Sequence, residues 1–171
     1  DKNNEAFVQF HNLRECLEAL VWRIRLRDCD RARKVADGFL NTLIALTNEE
    51  TGCMDYQKAV AMGKGEKFAS IQIPLTMGQG PLMLFYQETG DLRALKLAQQ
   101  YAESTLSICF EEDGRLRDAA HNHVHSITST LSGILYYALC AGRGELAQKI
   151  EKICEVGLAP AMSSYGYVRE Q

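Results

Sequence analysis

The chain repeats itself, and that limits its fold more than any other feature. Sliding it along itself until Arg31 falls on Arg93 also lays Ala32 on Ala94, Lys34 on Lys96, Ala36 on Ala98, Phe39 on Tyr101 and Gly52 on Gly114. A second, smaller offset carries Gly114 to Gly166, Leu116 to Val168 and Asp118 to Glu170, so a third unit follows after a shorter connection. A short repeat cannot bury its inner face alone, and neighbours must stack as an open solenoid or a closed ring.

Hydrophobic periodicity says what the unit is. From Glu5 to about Leu26, Phe10, Leu13, Leu17, Leu20, Val21 and Ile24 recur at the three-and-four spacing of a helix face. After Asp28-Cys29-Asp30 a second helix carries Val35, Ala36, Phe39, Leu40, Leu43 and Ile44 and ends in the polar stretch Thr47 to Gly52. Gly63 to Gly80 reads as a long loop with one extended piece near Ile71 to Ile73. Pro81 suits the first turn of a third helix running to about Glu88. Thr89-Gly90-Asp91 ends it and caps a fourth, Leu92 to about Cys109, which Asp113-Gly114 closes with a tight turn. Ser126 is the expected N-cap of a fifth helix. The sixth runs from Glu145 to about Val156, with Gly157 as its left-handed cap. The reading is all-α, three helix hairpins in one domain spanning 1–171.

Composition narrows the partners. With 19 basic against 22 acidic side chains the net charge is -3 and no basic block stands out, so nucleic acid is not an expected partner. No apolar run reaches the roughly 20 residues that span a bilayer, which argues against a membrane. The six cysteines, without a Cys-x-x-Cys pair, read mostly as small buried residues of a reducing compartment, hence a cytoplasmic location. A start at Asp1 is compatible with a removed signal peptide, and the stop at Gln171 with a missing continuation.

Tyr86-Gln87-Glu88-Thr89-Gly90-Asp91, the helix Ala94 to Ala102, the turn at Gly114, the histidines before Ser126, Leu131-Ser132-Gly133 and the tail Ser164 to Glu170 together resemble the six-hairpin glycosidase superfamily. Within it they are most similar to bacterial glycoside-hydrolase-like proteins related to β-L-arabinofuranosidases. The resemblance covers roughly Gly78 to Gln171, with the first hairpin joined to it by repeat logic. It implies half of, or a partial, (α/α)6 toroid, completed by a homodimer or by a missing C-terminal half, and a carbohydrate substrate. Such motifs specify fold better than activity.

The candidate site residues lie in the turns. Asp118 and Glu170 follow equivalent turns, and glycoside hydrolysis wants two carboxyl groups flanking the bond, so they are the expected acid and base or nucleophile. Asp55 is a third acid from the first unit; all three also read as solvated turn acids or caps. His121, His123 and His125 alternate, so an extended backbone would project all three imidazoles on one face. They could bind sugar hydroxyls, hold zinc at an unusual spacing, or simply bond backbone carbonyls. Tyr165 and Tyr167 offer a stacking platform and Arg169 a carboxylate fork, or all pack on neighbouring helices. No metal or cofactor is assigned. His11 and Trp22 read as structural, Cys53 and Cys109 lack a visible base, and Gly78-Gln79-Gly80 lacks the residues of a phosphate cradle. Sugar epimerases and uronate lyases on similar toroids, and a non-catalytic α-solenoid interaction module, are the competing expectations.

Overall fold

Among the described residues six α-helices pair into three hairpins: α1 (Phe10–Arg27) with α2 (Asp30–Leu46), α3 (Gln79–Thr89) with α4 (Leu92–Cys109), and α5 (Val124–Cys140) with α6 (Gly144–Ile153). The structure, a computed structural model, describes residues 10–55, 58, 72–73, 76–120 and 124–161.

The repeat is visible in the backbone. Each hairpin reverses on one left-handed residue, Asp28 (φ 44°), Gly90 (φ 73°) and Gly142 (φ 68°), and these stand apart by the two offsets found in the sequence. The second helices, starting at Asp30, Leu92 and Gly144, keep the same two intervals. Glycine takes the left-handed conformation without steric cost; aspartate is one of the few other residues that visits it, and Asp28 accepts from Arg33 at 2.7 Å. The Asp91 carboxylate caps α4 by accepting from the Arg93 backbone N–H at 2.9 Å.

Helix α3 packs on α1 to one side and α5 to the other, and each of the three is paired with its own hairpin partner. The result is a layer of α1, α3 and α5 and a second layer of α2, α4 and α6. Leu17, Val21 and Ile24 on α1, Leu40 and Leu43 on α2, and Leu82 and Met83 on α3 are buried between them. Each such side chain contributes about 1.5–3 kcal/mol on burial.

Equivalent turns follow α2 and α4. Thr47 bridges Met54, Phe110 bridges Leu116, and Gly52 and Gly114 are left-handed at 69° and 93°. The first turn continues into β1 (Met54–Asp55), which pairs antiparallel with β2 (Gln72–Ile73), Met54 opposite Ile73. Both glycines press on the next hairpin. A Cβ on Gly52 would fall 3.1 Å from Gln100 on α4, and one on Gly114 would fall 2.7 Å from the Lys152 carbonyl on α6, where Lys152 holds the repeat position of Gln100.

Several local expectations need correction. Helix α5 begins at Val124, so Ser126 lies inside its first turn and the Thr128 hydroxyl already closes back on the Val124 carbonyl at 2.9 Å. Gly157 is absent from the left-handed residues. It sits within a π turn, Cys154–Leu158, where a Cβ would meet the Gly114 carbonyl at 2.6 Å, so its role is close approach and not capping. Trp22 is 43% exposed with the Arg25 guanidinium 5.2 Å over its ring. Cys53 and Cys109 are buried, but Cys16, Cys140 and Cys154 are exposed.

Candidate functional site

The α1–α3–α5 layer leaves one face open, and on it lies a cleft of about 500 Å³. Arg14, Glu15 and Glu18 from α1, Gly80, Pro81 and Leu84 from α3, and His125, Thr128, Ser129, Ser132, Gly133 and Tyr136 from α5 form its wall with Met77. None of these belongs to α2, α4 or α6.

Helical geometry makes this wall polar. Leu17, Val21 and Ile24 turn one face of α1 into the core, and Arg14, three residues before Leu17 and seven before Val21, lies on that same face and is itself buried, with half-buried Glu18 at its margin. On α5, Ile127, Leu131 and Ile134 are buried, while His125, Ser129, Ser132 and Tyr136 recur every three or four residues along the cleft. Gly133 lets α3 approach: a Cβ there would stand 2.8 Å from the Gly80 amide nitrogen. Beside it Gln79 is fully buried, with neither amide atom hydrogen-bonded among the described residues, at a cost of about 1–3 kcal/mol for each unpaired group.

The charged groups are held in place. Arg14, 9% exposed, donates to Glu15 at 3.2 Å. The Tyr136 hydroxyl donates to Gln87, and burial pushes its phenol up from the ordinary value. A second groove, of about 660 Å³ between α2 and α4, is lined by Ile44, Leu97 and Arg93 among others, and Arg93 is already committed to Asp37 and Asp91.

Of the residues singled out from the sequence, His125 is in the cleft, but on the first turn of a helix and not in an extended run. Asp118 is exposed on a 3-10 turn, Asp118–Ala120, and is not part of the cleft wall. Asp55 lies in β1, half-buried, accepting from Asn48 at 3.2 Å and from the Lys58 backbone at 3.3 Å, also away from the wall. His121, His123, Tyr165, Tyr167, Arg169 and Glu170 fall outside the described residues. Arg14, Glu15, Glu18 and Tyr136 are additions that sequence reasoning misses. Of these, Tyr136 alone carries a signal in the sequence, since with Ser129 and Ser132 it interrupts an apolar helix on one stripe.

Among the described residues no group of three His, Cys, Asp or Glu is placed to hold a metal ion, and no helix is long and apolar enough to cross a membrane. Comparison with protein-family models, with curated proteins and with solved structures gives no match.

Proposed function

We propose that the chain is a carbohydrate-active protein, glycoside-hydrolase-like, whose hairpins form half of an (α/α)6 toroid and whose sugar lies in the cleft on the α1–α3–α5 face. The observation that carries this reading is the chemistry of the wall. Glu15 and Glu18 can accept from sugar hydroxyls, while Thr128, Ser129 and Ser132 can both donate and accept. Tyr136 supplies a ring face for an apolar sugar edge. The volume of about 500 Å³ suits a small ligand.

Hydrolysis needs one carboxyl group to protonate the leaving oxygen and a second to attack or to activate water, about 5–5.5 Å apart for retention and about 6.5–9.5 Å for inversion. Glu15 and Glu18 of the cleft wall are the acids in question for a sugar lying there, with His125 orienting hydroxyls; Asp118, away from that wall, and Glu170 are the alternatives that the carboxyl variants test.

Isothermal titration with arabinosides, glucosides and uronates tests the reading. Saturable binding that Glu18→Gln and His125→Ala weaken supports it, and sugar release that Glu→Gln or Asp→Asn changes abolish assigns the acids. Heat-silent titrations across the panel would refute it. Turnover that depends on His123 and survives every carboxyl change would move the chemistry to epimerisation or elimination.

A further inference from the structure

In one layer the same two positions join successive hairpins twice, while in the other the charged contact is made at the first seam, its second-seam equivalents Glu145, Gln99 and Glu103 pairing within their own hairpins. In the α1–α3–α5 layer, Arg25 of α1 reaches Glu88 of α3 at 2.9 Å, and one hairpin later Gln87 of α3 donates to Cys140 of α5 at 3.0 Å. Gln87 is the repeat equivalent of Arg25 under the first offset, and Cys140 that of Glu88 under the second. In the other layer Arg93 of α4 donates to Asp37 and Asn41 of α2 at 2.5 and 2.9 Å.

Carrying these positions off both ends shows what an adjoining hairpin would meet. The third hairpin's counterpart of Arg25 and Gln87 is Leu139, 68% exposed; the first hairpin's counterpart of Glu88 and Cys140 is Leu26, 71% exposed. The counterpart of Arg93 is Arg31, and those of Asp37 and Asn41 are Glu151 and Glu155, all exposed. Val35 is 43% exposed where its counterpart Leu97, in the wall of the groove between α2 and α4, is 4%. One edge is thus apolar and basic, the other apolar and acidic, and each has the shape that the repeat already stacks.

We infer that the third hairpin docks head to tail on the first hairpin of a second copy of this chain, Leu139 against Leu26 and Glu151 and Glu155 against Arg31. The interface continues the internal seams and is independent of the sugar reading. A head-to-tail contact is heterologous, so each copy uses both edges; that the ring closes after two copies, with six hairpins, rests on the half-toroid reading proposed above.

Light scattering during size exclusion tests this on wild type, Leu26→Glu and Leu139→Lys. Wild type is expected at the mass of two chains, against 19.2 kDa for one. Each variant alone is expected to lose self-association, and circular dichroism melts check that both still fold. Mixing the two variants is expected to restore the two-chain mass, because one seam is then wild type and the other pairs glutamate with lysine. A wild type monomeric at every concentration overturns the inference; that is the result if a hairpin of some other chain covers these edges. Loss in only one variant, or a mixture that stays monomeric, overturns the head-to-tail arrangement.

Discussion

Replacing Gly114 by alanine weighs the seam between the second and third hairpins. Two costs add at this position. The residue is held at φ 93°, where an L side chain costs about 1–2 kcal/mol. The new Cβ also lies 2.7 Å from the Lys152 carbonyl oxygen and 3.1 Å from the Ile153 nitrogen, backbone atoms of the last turn of α6. Overpacking against groups that cannot swing away costs typically about 1–3 kcal/mol. The sum is about 2–5 kcal/mol. Gly90→Ala is the control, since Gly90 is left-handed at 73° but has nothing within 4 Å of its Cβ position, so only the backbone cost of about 1–2 kcal/mol applies. Urea unfolding of the three proteins gives the comparison directly. In thermal melts each kcal/mol corresponds to about 2–4 °C for a chain of this size. Equal losses in Gly114→Ala and Gly90→Ala would refute the claim that the turn presses on α6.

Three further outcomes follow from the packing. Thr47→Val strands the hydroxyl of fully buried Tyr101, which Thr47 meets at 2.8 Å, and should cost about 1–3 kcal/mol; in the double variant with Tyr101→Phe the losses should be less than additive in urea unfolding. The Arg93 guanidinium beside Asp91 holds that carboxyl below its ordinary value of 3.8. Its stabilisation is therefore present above that pH and is lost as pH falls through the lower folded value, so Asp91→Asn, which keeps a capping side chain, should flatten the acid limb of Tm against pH. A thiol reagent should label exposed Cys16 and Cys140 in the native protein, and more slowly Cys154, which is exposed but whose thiol partial burial pushes up. Cys53, pushed up by burial, and Cys109, pushed up to about 12 by burial, should react only after unfolding, which mass spectrometry of labelled peptides reads out.

The helices that pack against a partner are legible because burial imposes periodicity. The pattern alone bounds Leu92 to Cys109, and the turn at Gly90-Asp91 follows from its chemistry. What escapes depends on distances between elements. Gly157 looks like a cap in one dimension; only the nearness of the Gly114 carbonyl shows why glycine stands there. The site is hidden for a related reason. Glu15 and Glu18 are indistinguishable in sequence from any solvated helix face until α3 and α5 are set beside α1, whereas the conspicuous alternating histidines point to a run whose last member, His125, already lies in the first turn of a helix.

The unequal repeat spacing also bears on the order of folding. The three hairpins are alike, but the connection from the first to the second (47–78) is more than twice as long as that from the second to the third (110–123). Bringing the ends of the longer connection together costs about 0.7 kcal/mol more in chain entropy. Contacts of lower sequence separation form first, so α3 to α6 are the natural nucleus. This order predicts that the first hairpin, which brings Arg14, Glu15 and Glu18, joins an already formed surface, so that the cleft is completed last.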